Sequence, residues 1–235
     1  MKTANSILLI LFLLLASKGY SRTAQEYVDR GFAYVNFFTQ DEISTPVNEY
    51  LMIDQNPDAP EIEFINGFNK VILTKGHPKS KGLDLQVRVP NSWSIQEGDR
   101  PNIIKKAVSQ NGKGFEMVML LVSDLGTTTI SSTLFTSELM KQFIPKGGKY
   151  ISGKKVTLDR IEGGMIEFEQ IVTQIDIKLK VRGLFFIIPF KTKLVQIQCF
   201  TGGRENELNI EALSEKFRPL FRMIANSLVI SNQYQ

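Results

Sequence analysis

The chain has 235 residues, 28 basic and 24 acidic, with one histidine, one cysteine and a formal net charge of +4. A surplus that small leaves no electrostatic footprint for nucleic acid, which shows as a dense basic patch. A single cysteine excludes an intramolecular disulfide, and with a single histidine it excludes a zinc site built from several such ligands.

In chain order, a short polar start carrying one positive charge, MKTANS, is followed by an unbroken apolar run from Ile7 to Ala16. That run is about half of the ~20 residues a helix needs to cross a bilayer. Gly19 and Ser21 then supply small residues at the spacing of a signal-peptidase site. Residues 1–21 are therefore expected to be a signal peptide, and the chain to be exported to the periplasm or the medium. Without Lys2 and Lys18 the balance is 26 basic against 24 acidic residues, a charge near +2.

Residues 22–82 read as an N-terminal extension packed on a main domain, residues 83–235. Ala24, Tyr27, Val28 and Gly31 have helical spacing, and Phe32, Tyr34, Val35, Phe37 and Phe38 are apolar enough to be buried. Pro57 and Pro60 break any regular element, because each removes a donor and fixes φ. The basic, turn-rich segment Lys75 to Gly82 carries His77, expected to be solvated.

From Leu83 the pattern is strand-like. Leu83, Leu85, Val87 and Val89 alternate with polar residues up to Pro90. Ile103 to Ser109 and Phe115 to Val122 are the next two expected strands, joined by the turn Asn111-Gly112-Lys113-Gly114. Ser137 to Phe143 reads as a short helix with Thr136 or Ser137 as N-cap and Pro145 beyond its end. Ile171 to Val181 alternates most regularly of all and is expected to be one strand, partnered by Lys191 to Phe200. The spacing of Ile210, Leu213, Phe217, Leu220, Phe221, Ile224 and Leu228 predicts a closing amphipathic helix, starting late or kinked at Pro219. This order gives an α+β fold, a mostly antiparallel β-sheet flanked by helices.

The strand end Leu85-Gln86-Val87-Arg88-Val89-Pro90-Asn91-Ser92-Trp93, closing in Pro-x-x-Trp, resembles the opening of PsbP-like domains. The helix near Ser137, the meander from Tyr150 to Phe200 and the terminal helix ending in Ser227-Leu228-Val229-Ile230 are similar in order. The resemblance covers residues 83 to 231. It implies an α/β/α sandwich acting as a binding or assembly module rather than an enzyme, and it carries over no functional residue.

The residues themselves offer little catalysis. A Ser-His-Asp or Cys-His mechanism needs a histidine held against its nucleophile, and the loop of His77 offers no evident orienter. Glu167, Glu169 and Asp176 lie close enough for carboxylate-pair hydrolysis, but their alternation with apolar residues favours a solvated strand face. Pro145-Lys146-Gly147-Gly148-Lys149 and Thr201-Gly202-Gly203-Arg204 lack the spacing of a phosphate-binding loop and read as hairpin turns. Trp93 reads as a core anchor and Cys199 as a small buried hydrophobe.

One stretch stands apart. Leu184, Phe185, Phe186, Ile187, Ile188 and Phe190 are large and apolar on both faces, and lysines and arginines flank them. Either a second layer covers the outer face, or the run is a protruding hairpin tip that docks on a partner or an anionic membrane surface. The expectation is an exported binding module without metal or cofactor. Its expected partner is a protein, with a membrane surface as the alternative and nucleic acid excluded. A hydrolase using only carboxylates is the reading from a different class.

Overall fold

In the computed structural model, the described residues are Glu63, 67–109, 116–126, 136–174, 177–206 and 208–235, with Gln174 and Ile177 described by backbone alone. The expected signal peptide, the segment 22–62, the turn 111–114 and Asp176 lie outside them. The strands are β1 (Lys70–Leu73), β2 (Leu85–Val89), β3 (Ser94–Glu97), β4 (Ile103–Val108), β5 (Met117–Asp124), β6 (Lys149–Leu158), β7 (Ile161–Gln174), β8 (Ile177–Phe190), β9 (Lys193–Arg204) and β10 (Val229–Ile230). Two helices accompany them, α1 (Ser137–Lys141) and α2 (Ile210–Asn226).

Period-two alternation makes β2: Leu85, Val87 and Val89 are buried while Gln86 and Arg88 are exposed. It is the middle strand of a three-stranded antiparallel sheet, β1-β2-β10, with Lys70 opposite Val89 and Ile230 opposite Leu85. The expected boundary at 82/83 thus falls between two strands of one sheet. The other seven strands form a second antiparallel sheet in the order β3-β4-β5-β9-β8-β7-β6.

Helix α1 is capped as expected, Thr136 Oγ1 accepting from the Leu139 amide at 3.3 Å. Helix α2 begins at Ile210, where Asn209 Oδ1 accepts from the Ala212 amide at 3.1 Å, so it does not start late. It runs through Pro219, which leaves the Glu215 carbonyl without its helical donor.

One face of the seven-stranded sheet packs through Val118, Leu120, Leu184, Phe186, Ile188 and Ile197 against Phe217, Phe221 and Ile224 of α2 and the inner face of the small sheet. Trp93 and Cys199 lie in this core, and burial pushes the Cys199 thiol well up. The opposite face packs Met119, Leu121, Phe168, Phe185, Ile187 and Phe200 together with Met140 of α1. Helices on both faces of an antiparallel sheet make the α+β sandwich that the sequence predicts.

The structure corrects several local expectations. Residues 171–181 are not one strand: the chain reverses between Gln174 and Ile177, which face each other across the hairpin. The alternation runs through the reversal unbroken, so the sequence pattern shows no seam. Opposite residues share a face, so Ile171 lies with Lys180, not with Leu179 and Val181. Gly202 and Gly203 are not a turn either, since they pair with Val181 and Lys180 inside β9.

Candidate functional site

The run Leu184 to Phe190 forms no protruding tip. It is the second half of β8, paired with β7 on one side and β9 on the other, and all six candidate side chains are buried. Its two-sided apolarity has a direct cause, because Leu184, Phe186, Ile188 and Phe190 face α2 while Phe185 and Ile187 face the opposite core. A Cβ on Gly183 would stand 2.2 Å from the Phe168 ring, so the bare backbone there lets that ring lie across the strand. Phe168 in turn meets Phe185 edge-on at 4.8 Å.

The carboxylates expected on a solvated face are instead part of an ion network beneath the first turns of α2. Glu167 is buried and accepts from Arg218 Nη2 at 2.7 Å and Ser152 Oγ at 3.2 Å, with Arg182 Nη1 at 3.5 Å. Glu169 holds Lys180 Nζ at 3.2 Å and Arg182 Nε at 3.4 Å. Glu211 and Glu215 of α2 close the network onto Lys180 and Arg218. Lys180, which donates to it, holds the Glu211 carboxyl below its ordinary range. Every carboxylate here is already answered by a cation, which leaves none placed as a general base.

His77 is less exposed than the sequence predicts. Its Nδ1 accepts from the Lys79 amide at 3.2 Å, and its Nε2 faces Glu97 Oε2 at 3.0 Å. Lys105 also donates to Glu97 and, more than the histidine does, lowers the Glu97 carboxyl. An orienting carboxylate is therefore present. No serine, threonine or cysteine side chain among the described residues is bonded to the ring.

Two surface features were not singled out by the sequence. The first is the outer face of the small sheet. Of the seven large apolar side chains exposed among the described residues, three stand there, Val71, Leu73 and Val229. Leu73 is 56% exposed, and Gln86 of β2 lies between it and Val229 in one cross-strand row. Arg88 lies opposite Val71. Assigning residues 22–82 to an extension hid this face, because β1 is one of its strands.

The second is one end of the large sheet, where the β6–β7 and β8–β9 hairpins turn and β5 finishes. Four non-glycine residues with positive φ among the described residues are Lys81 (53°), Asp159 (44°), Arg160 (65°) and Lys191 (53°). Asp159 is held by the C-terminal segment: its Oδ2 accepts from the Ile230 amide at 2.6 Å, its Oδ1 from Tyr234, and its carbonyl from Gln233 Nε2. Arg160 lies 5.8 Å over the Tyr234 ring. Lys191 is the first residue of the β8–β9 turn, and the Leu125 amide donates to Thr192 at 2.8 Å. Lys193 Nζ meets Asp124 Oδ2 at 2.7 Å and lowers that carboxyl. Lys81 ends a 3-10 turn, Pro78–Ser80, and its ammonium lies within reach of the Asp124 and Lys193 charges. Among the described residues, no group of three or more His, Cys, Asp or Glu side chains gathers to hold a metal, and no helix is long and apolar enough to cross a membrane.

The class this arrangement defines is an antiparallel α+β sandwich similar to PsbP-like proteins. Among solved structures, the chain is similar to cyanobacterial PsbP (CyanoP) from Synechocystis sp. PCC 6803, with 13% identity, a TM-score of 0.49, and coverage of 70% of this chain and 94% of that one. It is also similar to LpqN of Mycobacterium tuberculosis, described as involved in cell envelope biogenesis, at 15% identity and a TM-score of 0.42 over 72% and 95% of the two chains. The Ran-binding protein Mog1p of Saccharomyces cerevisiae shows 7% identity and a TM-score of 0.45 over 68% and 94%. No family model and no curated protein matches the chain.

Proposed function

We propose that this chain is an exported, non-catalytic binding or assembly module that docks on a protein partner through the outer face of its three-stranded sheet. The observation that carries this reading is the gathering of Val71, Leu73 and Val229 on one face of one small sheet. Exposed apolar residues scattered singly need no explanation, whereas a row of them marks a contact surface. The exposed Arg88 lies opposite Val71 on this face, so the partner it fits combines an apolar patch with an acidic group. The ion-paired carboxylates and the histidine without a nucleophile support the non-catalytic half. With 184–190 in the core, that run offers no apolar tip to a membrane.

A photo-crosslinking residue at position 73 tests this against the same residue at position 151, where Ile151 is exposed on β6. Adducts that form at 73, and disappear with Val229→Asp, are expected. Equal adducts at both positions, or none at 73, would overturn it.

A further inference from the structure

The two edges of the small sheet are built differently. Bonding alternates along an antiparallel pair, so one hydrogen bond fixes which residues face the neighbouring strand. The Ser231 amide donates to the Asp84 carbonyl at 2.9 Å, so Ile230 turns its own amide outward. Asp159 Oδ2 takes that amide at 2.6 Å, which closes the β10 edge. At the other edge the Thr74 amide donates to the Leu85 carbonyl at 3.1 Å. Ile72 therefore faces β2, while Val71 and Leu73 point their N–H and C=O groups away from it. No described residue answers those four groups.

Natural sheets guard an open edge with lysines, bulges or a cover. The edge strand β6 is guarded in this way, by the exposed Lys149, Lys154 and Lys155 and by a register shift between Tyr150 and Ser152. Strand β1 is not. Its register with β2 is unbroken, and its one lysine, Lys70, is drawn to the Trp93 carbonyl. The open backbone groups also belong to Val71 and Leu73, the two residues of β1 whose apolar side chains are exposed.

We infer that an extended, acidic segment of the partner adds to β1 as a fourth strand of the small sheet. This rests on the docking reading above and states how the face is engaged. The segment's backbone pairs with Val71 and Leu73, and its alternate apolar side chains continue their row. A second copy of the chain fits less well. Residues 68–82 carry four lysines and no acidic residue, so self-pairing sets like charges side by side. A strand of four residues also supplies far less than the about 1,200 Å² buried between two stably associated folded proteins.

The probe is a fluorescein-labelled nonapeptide in which valines alternate with threonines between glutamate ends, titrated into the purified chain by fluorescence anisotropy. Two substitutions separate backbone from side chain. Val71→Ala keeps the outward N–H. Val71→Pro removes it and sets a ring in the path of an added strand, yet breaks no bond to β2. Saturable binding is expected, weakened at least about tenfold by Val71→Pro and no more than about threefold by Val71→Ala, the scale of a lost backbone hydrogen bond. Lysines in place of the peptide's glutamates should also weaken it about tenfold. In the parent, hydrogen exchange at the Val71 and Leu73 amides should slow at least about tenfold on saturation, a readout that does not depend on how the proline variant folds.

Equal weakening by Val71→Ala, Val71→Pro and Val229→Asp, with both amides still exchanging freely, would overturn strand addition and leave the face itself as the contact. Binding untouched by all three substitutions would sink the docking reading as well. No binding by the parent, or equal binding of the lysine peptide, would overturn the inference.

Discussion

The contact beneath α2 has two halves, built from opposite materials. Along one stripe of the helix, Phe217, Phe221 and Ile224 share a buried apolar cluster with Phe186, Ile188 and Ile197. Along the neighbouring stripe, Glu211, Glu215 and Arg218 meet Glu167, Lys180 and Arg182. Both halves fix the helix on the sheet, but burial should supply most of the stability. Each large apolar side chain contributes about 1.5–3 kcal/mol when fully buried. Most of the ion pairs are reached by water, where a pair contributes about 0–1 kcal/mol. The exception is Glu167, whose buried charge is sound only while both arginines remain.

Four changes break or sharpen this contrast. Phe217→Ala is expected to cost about 3–5 kcal/mol in urea unfolding, the usual loss for a buried aromatic. Glu167→Gln is expected to cost about 1–3 kcal/mol by the same measurement, because it leaves Arg182 and Arg218 with a neutral partner. Should it cost as much as the phenylalanine, the charged half is a second core and the contrast fails. Glu215→Ala is expected to change stability by no more than about 1 kcal/mol, since Glu167 still answers Arg218.

The smallest effect is a pH dependence. Glu211 titrates below its ordinary value of 4.5 in the folded chain, so its contribution is present above that value. It is lost as pH falls through the depressed folded value. Stability curves of the parent and Glu211→Gln should therefore differ at neutral pH and converge in acid. A constant gap across that range would show that Lys180 does not hold this carboxylate.

Much of this fold was legible because alternation and helical spacing are local. The buried face of β2, the stripe of α2 and the Thr136 cap are read from a few neighbouring residues. What was hidden depends on pairing. The reversal between Gln174 and Ile177 preserves alternation, so nothing in the pattern distinguishes a hairpin from a straight strand. The two-sided apolarity of 184–190 looked like a surface anomaly because its strand is covered on both faces, which only the sheet order reveals. Gly202-Gly203 reads as a turn by composition, yet Leu208 lies close over Gly203, where a Cβ would stand 2.5 Å from it. The outer apolar face and the left-handed lysines were missed for the same reason. Val71 and Val229 become neighbours of one sheet only through β2, and a φ value leaves no trace in a lysine's identity.

That small sheet also has a consequence for the order of events in folding. The β6–β9 meander joins strands through tight turns, contacts that close quickly because little chain must be gathered. The small sheet instead joins distant segments: the Asp84 amide donates to Asn232 Oδ1 across 148 positions. Closing so long a loop is entropically costly and comes late. The face carrying Val71, Leu73 and Val229 thus comes together only once these distant segments have met, and a partner of the proposed kind would engage the folded chain alone.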